Sequence, residues 1–185
     1  MDYICREVRR IVKKYDETDL LALARALGIT VRFKPLGRKE TSLKGLFTYN
    51  WRRKYIVINS DMPYKFQMFV LAHEIGHSVL HLKAAELQMF KDIFLGSNLG
   101  IYETEANLFA AELMLFDNSK VIETLKSGLT FMECADELCV LPEALDFKCR
   151  ILRKQGLLDA NVPVATPGDF LRKPFQTEEL CPFDY

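Results

Sequence analysis

The chain of 185 residues is long enough for one domain with an ordinary hydrophobic core and a small helical addition. It carries 25 Lys and Arg against 25 Asp and Glu, and this zero formal net charge argues against a protein that holds DNA through a general basic excess. The first fifteen residues are charged throughout and no apolar stretch reaches the length of a membrane span, so we expect a cytoplasmic protein without a secretory signal.

The first part of the chain predicts two helices and a strand. Apolar residues recur at helical spacing over 2–15, and a shorter helix over 19–27 is expected to end at Gly28. Residues 29–34 alternate apolar and polar side chains, which is typical of a strand that buries one of its faces.

A hairpin and a long apolar helix are predicted next. Two β-prone runs flank residues 50–53 and indicate an antiparallel hairpin whose second strand lies near 54–59. Pro63 suits the first turn of a helix, and residues 63–82 are apolar nearly all round. We therefore expect this helix to be central and buried.

The second half of the chain predicts mainly helices. Residues 83–101 are less regular, and Gly100 is one of the residues that mark a loop there. Helices are expected at 102–115, at 118–127, and on both sides of a turn at 140–142 within 130–154. Five cysteines at irregular spacing, with no C-x-x-C pair, favour buried apolar residues over disulfides or a zinc ribbon.

The central helix contains His-Glu-Ile-Gly-His, which fits the H-E-x-x-H pattern. His73 and His77 are four residues apart, so they share one helix face and their imidazoles can converge on one metal ion. Glu74 is placed to reach a water molecule on that metal and to act on it as general base. These polar side chains would be costly to bury in an apolar helix without such a partner. The pattern therefore predicts a zinc-dependent hydrolase.

The third histidine, His81, continues the four-residue spacing but is not expected to bind the same ion. In a continuous helix it would lie about 12 Å from His73 along the axis, at ~1.5 Å per residue. The residues just before it include no glycine that would break the helix. We predict a packed or partly exposed histidine near the helix end.

A third zinc ligand has to be an acid or a thiolate, because the chain has only three histidines. Glu105 and Glu112 are seven residues apart and are expected to lie on a solvated helix face. Glu103 lies about 200° around the helix from that face, among small and apolar residues. We therefore predict Glu103 as the third ligand, with Asn107 one turn on as a group that orients His73 or Glu103.

Three segments within residues 54–116 together resemble the ImmA/IrrE family of metallopeptidases. They are YIVINSDMP, FVLAHEIGHSVLH and YETEANLFAAELML. The resemblance implies that His73, His77 and Glu103 bind Zn²⁺ and that Glu74 is the catalytic glutamate. It also implies a cytoplasmic endopeptidase that cleaves a helix-turn-helix transcriptional repressor and thereby derepresses genes.

We accordingly expect an α+β fold. A mostly helical, zincin-like peptidase core would have a small antiparallel sheet next to the H-E-x-x-H helix, and further helices would follow it. Residues 1–117 would form this core, residues 118–156 a helical region similar to a helix-turn-helix, and residues 157–185 an extended tail that contains prolines.

Two alternatives to an active protease stay open. The helices within 130–152 would contact DNA if the metal site were structural or lost, although Glu143 and Asp146 occupy positions that would approach phosphates. A pseudo-protease would bind the repressor without cutting it, although an intact Glu74 argues against this. Direct nucleic-acid binding and membrane association are not expected. The group that stabilises the oxyanion is left open among Tyr49, Tyr55, Tyr102 and nearby arginines.

Overall fold

The structure, a computed structural model, describes residues 1–39, 41–83 and 99–159. Helices and a small sheet within these ranges confirm the predicted α+β class. The helices are α1 (Asp2–Tyr15), α2 (Leu20–Ala26), α3 (Tyr64–Leu80), α4 (Leu99–Met114), α5 (Asn118–Leu125), α6 (Phe131–Glu137) and α7 (Pro142–Lys154). The strands are β1 (Ile29–Lys34), β2 (Gly45–Asn50) and β3 (Arg53–Asn59).

The sheet has the strand order β1-β3-β2, with β3 in the middle. β2 and β3 form the predicted antiparallel hairpin, in which Asn50 pairs with Arg53. Its two-residue turn places Trp51 and Arg52 at φ 51° and 61°, the left-handed backbone that a type I′ hairpin turn requires. β1 adds a parallel pair with β3, so the complete sheet is mixed and the predicted antiparallel pairing is confirmed for β2 and β3 only.

The predicted N-terminal helices are confirmed. α1 buries a stripe of apolar residues at helical spacing: Ile4, Cys5, Val8, Ile11 and Val12. α2 begins at its N-cap Asp19, whose carboxylate accepts a hydrogen bond from the backbone N–H of Ala22 at 2.8 Å. Gly28 follows the helix at φ +73°, a conformation that glycine adopts without strain.

α3 and α4 pack against each other at the centre of the fold. α3 is buried along most of its length, as its apolar sequence predicts. α4 begins at Leu99, so the prediction that Gly100 marks a loop is wrong. A glycine costs a helix about 1 kcal/mol relative to alanine, and the packing of the rest of α4 outweighs that cost. The remainder of the predicted irregular segment, residues 84–98, lies outside the described residues.

The C-terminal helices α5, α6 and α7 are also found where the sequence predicts them. α6 begins with a capping box, in which Thr130 and Glu133 satisfy each other's backbone N–H groups. α7 packs against α4, and its six consecutive residues 144–149 are all buried, so its middle is enclosed on every side. Residues 160–185, which include most of the predicted extended tail, lie outside the described residues. The proposed domain boundaries stay predictions.

A second prediction about α4 is also wrong: Glu112 does not lie on a solvated face. Its side chain is 2% exposed, and its carboxylate accepts a hydrogen bond from the Lys148 ammonium of α7 at 2.6 Å. Helical periodicity shows which residues share a face, but it does not reveal that a lysine on a distant helix neutralises a buried carboxylate.

Three of the described cysteines, Cys5, Cys134 and Cys149, are buried as small apolar residues are, and Cys139 is exposed. None of these four forms a disulfide within the described residues. Burial raises the pKa of the Cys149 thiol to about 11, which leaves it neutral at physiological pH. Among the described residues, no helix is both long enough and apolar enough to cross a membrane.

Candidate metal centre

The candidate site lies where α4 crosses α3. α3 presents His73 and His77 from successive turns, and α4 presents Glu103 opposite them. The helices approach closely because Gly76 has no side chain: a Cβ there would lie 3.1 Å from the Cδ1 of buried Phe109. The glycine inside the H-E-x-x-H motif therefore helps to bring the carboxylate of α4 to the two imidazoles.

The three side chains direct their polar atoms at one point. The Nε2 atoms of His73 and His77 are 3.0 Å apart, and the Glu103 carboxylate oxygens lie 3.4 Å and 3.5 Å from them. One ligand atom from each residue falls within 4.8 Å of the other two. Two imidazole nitrogens and one carboxylate oxygen are the donor set of many catalytic zinc sites, so these residues fit the metal.

Electrostatics favour the ionised form of Glu103. Burial alone would raise the pKa of this carboxyl, but its contacts with the His73 and His77 imidazoles outweigh that effect and hold the pKa well below its usual range. Glu103 is therefore a carboxylate at neutral pH, which is the form that binds a metal ion.

Asn107 lies one turn beyond Glu103 and contacts His73 from behind. Its Oδ1 atom lies 2.8 Å from the Nδ1 atom of His73, and the residue is only 1% exposed. An amide oxygen only accepts hydrogen bonds, so Nδ1 of His73 carries the proton and Nε2 keeps its lone pair for the site. The structure thus places Asn107 in contact with His73, one of its two predicted partners. The role of Asn107 in metal binding stays a prediction.

Glu74 is buried beside this cluster, between α3 and β2. Burial raises its pKa to about 7, although the nearby His77 and a hydrogen bond donated by the backbone N–H of Phe47 both favour the charged form. The strand approaches closely at Gly45, where a Cβ would lie 3.0 Å from a carboxylate oxygen of Glu74. The sequence does not reveal this contact between β2 and Glu74, because Gly45 and Phe47 lie outside the motif.

His81 follows the last residue of α3 and is packed, as predicted, with 8% of its surface exposed. It does not join the three converging side chains. Its Nδ1 atom lies 3.1 Å from the Nδ1 atom of His77, and its Nε2 atom lies 2.9 Å from the Glu105 carboxylate. Burial lowers the pKa of His81, which favours a neutral ring. Glu105, predicted on a solvated face, is half-buried and bonded to this histidine.

Residues 24–150 match a peptidase family that is described as the IrrE N-terminal-like domain. The "Uncharacterized immunity region protein 2" of Bacillus phage phi105 is 39% identical over 110 residues, which cover 60% of this chain and 66% of that protein. The "Radiation response metalloprotease IrrE" of Deinococcus deserti is 34% identical over 89 residues, which cover 48% of this chain and 30% of that protein. The matches thus span less than two thirds of either relative.

Proposed function

We infer that this chain, which belongs to the IrrE N-terminal-like family of peptidases, is a zinc-dependent endopeptidase. The observation that carries the proposal is the convergence of His73, His77 and Glu103 beside the buried carboxylate of Glu74. A set of three protein ligands that leaves one position for water or substrate is typical of catalytic rather than structural zinc sites.

In this proposal His73, His77 and Glu103 hold the zinc ion. A zinc ion at this position polarises the scissile carbonyl and makes a water molecule more acidic. Asn107 keeps His73 in the tautomer whose Nε2 carries a lone pair, since its amide oxygen accepts a hydrogen bond from the Nδ1–H group. The packing of α4 on α3 keeps Glu103 opposite both histidines.

Glu74 acts as general base. Its carboxylate takes a proton from the attacking water and then delivers that proton to the nitrogen of the leaving amine. A group whose pKa lies near neutrality performs both transfers well, because neither protonation state is strongly disfavoured. The hydrogen bond from the backbone N–H of Phe47 fixes the direction in which the carboxylate points.

The substrate peptide would lie extended along β2. In the described sheet this strand pairs with β3 on one side only. The backbone N–H of Phe47 points away from β3 and towards Glu74, so the unpaired edge of β2 borders the site. A peptide added to that edge would gain main-chain hydrogen bonds and would present its amide groups to Glu74.

A protein substrate follows from the peptidase family, and we propose a helix-turn-helix transcriptional repressor. The resemblance of the sequence to ImmA/IrrE metallopeptidases supports this choice. The phage relative carries the words "immunity region" in its name, and the Deinococcus relative is called a radiation response metalloprotease. The second of these names associates a relative of this chain with a response to radiation.

The alternative of a DNA-binding module has less support. A recognition helix has to expose a face to the groove, yet α7 buries eight of its residues: Ala144, Leu145, Asp146, Phe147, Lys148, Cys149, Ile151 and Leu152. Asp146 pairs with Arg150 at 2.8 Å, and Lys148 pairs with Glu112 of α4. Two basic residues of α7, Lys148 and Arg150, are therefore already engaged in ion pairs within the protein.

The proposal is tested by one pair of measurements. Native mass spectrometry counts zinc ions per chain in the wild type, in Glu74→Gln and in Glu123→Gln, which changes an exposed glutamate of α5. The same three proteins are then incubated with a candidate repressor. We expect one zinc ion in each protein, and cleavage by the wild type and Glu123→Gln only. Equal cleavage by Glu74→Gln would remove Glu74 from the mechanism.

A further inference from the structure

We propose that His81 and Glu105 are positioning residues, which hold His77 in the one tautomer that can bind zinc through Nε2. The inference deepens the proposed function and rests on it in one respect, because it takes His77 to be a zinc ligand. Neither His81 nor Glu105 belongs to the H-E-x-x-H motif, and neither contributes an atom to the converging group of three.

A continuous series of hydrogen bonds leads away from the site. The Nδ1 atom of His77 lies 3.1 Å from the Nδ1 atom of His81. The Nε2 atom of His81 lies 2.9 Å from an oxygen of the Glu105 carboxylate. These hydrogen bonds therefore connect the end of α3 to the first half of α4, on the side of His77 that faces away from Glu103.

The donors and acceptors of these hydrogen bonds have only one consistent order when the rings of His77 and His81 are both neutral. A carboxylate only accepts, so the Nε2–H group of His81 donates to Glu105. A neutral imidazole has one proton, which leaves Nδ1 of His81 as an acceptor. The Nδ1 atom of His77 must then carry the proton of its ring and donate it. As a result, Nε2 of His77 keeps its lone pair for a metal ion that His73 and Glu103 would also bind.

The surroundings of His81 hold these hydrogen bonds in place. The His81 ring packs against the Tyr102 ring with a centroid separation of 4.7 Å, and its backbone N–H bonds to the His77 carbonyl at 3.0 Å. The residue is 8% exposed, so little water reaches the ring to replace Glu105 or His77 as a partner. The arrangement parallels the contact of Asn107 with His73, and each imidazole of the motif thus has its own tautomer-fixing partner.

The ¹⁵N and long-range ¹H spectra of the imidazoles test the tautomer directly in the metal-free protein. The chain has only three histidines, so single substitutions assign every signal. We expect a protonated Nδ1 and an unprotonated Nε2 for His77 in the wild type. In His81→Leu, which fills the space but cannot accept a hydrogen bond, we expect signals of mixed tautomers. A wild-type His77 that carries its proton on Nε2 would overturn the proposal.

Zinc affinity, measured by competition with a chelator, tests the consequence. Loss of such an outer partner typically costs 10–100-fold in metal affinity, and we expect roughly this loss in His81→Leu. His81→Asn should recover most of it, because the asparagine Oδ1 occupies about the position of the histidine Nδ1. Glu105→Ala, at a half-exposed position, should show a smaller loss, and Glu123→Ala should match the wild type. His81→Leu with wild-type affinity would contradict the proposal.

Thermal unfolding of each metal-free variant separates positioning from general destabilisation. If His81→Leu fails to fold, Glu105→Ala decides between the outcomes, and a wild-type affinity for zinc in that variant would overturn the proposal. A failure of the proposed function can be distinguished from a failure of this inference. It would appear as unchanged cleavage by Glu74→Gln, while the tautomer of His77 and the affinities of these variants stayed as expected.

Discussion

At the scale of single residues, the site depends on how closely β2 approaches α3. Glu74 is buried in an apolar helix, and the backbone of β2 supplies one of its hydrogen bonds through Phe47. That approach is possible because Gly45 has no side chain where the strand passes Val70 and Glu74. The strand is therefore part of the chemistry, since it directs the proposed general base.

We expect Gly45→Ala to lower the rate of cleavage while zinc binding is retained. A Cβ at this position would lie 2.3 Å from the Cγ1 atom of Val70, so β2 has to move away from Glu74. A displacement of about 1 Å in a catalytic group can cost on the order of 100-fold in rate. The proposed zinc ligands lie on α3 and α4 and not on β2. Turnover of a peptide substrate and zinc content by native mass spectrometry measure the two effects.

Gly100→Ala is the matched control for this variant, because no heavy atom lies within 4 Å of a Cβ at position 100. It should leave turnover unchanged and stabilise α4 slightly, by up to about 1 kcal/mol. A wild-type rate in Gly45→Ala would show that the position of β2 does not matter for Glu74.

The candidate ligands could be predicted from sequence because the H-E-x-x-H spacing and the periodicity around Glu103 are local. The partners of those residues could not all be predicted. His81 bonds to Glu105 across 24 positions, and Glu112 bonds to Lys148 across 36 positions. No periodicity within one helix reveals such pairs, which is why the prediction of a solvated Glu112 is wrong.

At the scale of secondary-structure elements, α4 joins the site to the C-terminal helices. One of its faces carries Glu103 and Asn107 towards α3, while another carries Glu112 towards Lys148 of α7. The Lys148 side chain is 0% exposed. A buried ion pair of this kind holds two helices in register, because neither charge tolerates the loss of its partner.

We therefore expect Lys148→Met to destabilise the protein strongly. Removing one partner of a buried pair typically costs about 3–5 kcal/mol, since the remaining charge is left without compensation. The double variant Glu112→Leu with Lys148→Met should recover much of this loss. Urea denaturation measures the free energy of unfolding of both variants. Lys120→Met, at an exposed position of α5, is the control and should stay within about 0.5 kcal/mol of the wild type.

A small loss in Lys148→Met, comparable to that of the control, would contradict the role given to this pair. A double variant that is less stable than Lys148→Met would also contradict it. The unpaired Glu112 carboxylate would then not be the cause of the destabilisation.

The elements themselves were largely predictable, because each depends on local signals. The helical spacing of α1, the Asp19 cap of α2 and the paired β-prone runs of the hairpin are all visible in the sequence. The parallel pairing of β1 with β3 was not, because β2 lies between them in the chain and nothing local connects Ile29 to Lys54. Gly100 is the opposite case. A glycine is a local signal for a loop, but this one lies in a helix because the packing of α4 outweighs that preference.

At the scale of the whole molecule, the metal would connect the two central helices. His73 and His77 belong to α3 and Glu103 to α4, so one ion would cross-link the elements around which the rest of the fold packs. An unfolded chain does not hold these three side chains together. Zinc should therefore bind the native state selectively and stabilise the whole domain.

We expect zinc to raise the thermal unfolding temperature of the metal-free protein. At a free concentration about 100 times Kd, a ligand of the native state adds about 2.7 kcal/mol. For a chain of this size that corresponds to roughly 5–10 °C. Differential scanning calorimetry with and without zinc measures the shift, and His77→Ala should show little of it. An equal shift in His77→Ala would mean that zinc stabilises the protein from another site.

The central claim is that one zinc ion is held by His73, His77 and Glu103, and anomalous diffraction at the zinc edge from crystals grown with the metal tests it most directly. We predict a single strong peak at the crossing of α3 and α4, with the two Nε2 atoms at about 2.0–2.1 Å and a Glu103 oxygen at about 2.0–2.2 Å. A strong peak elsewhere, or an ion whose ligands do not include the Glu103 carboxylate, would contradict the claim.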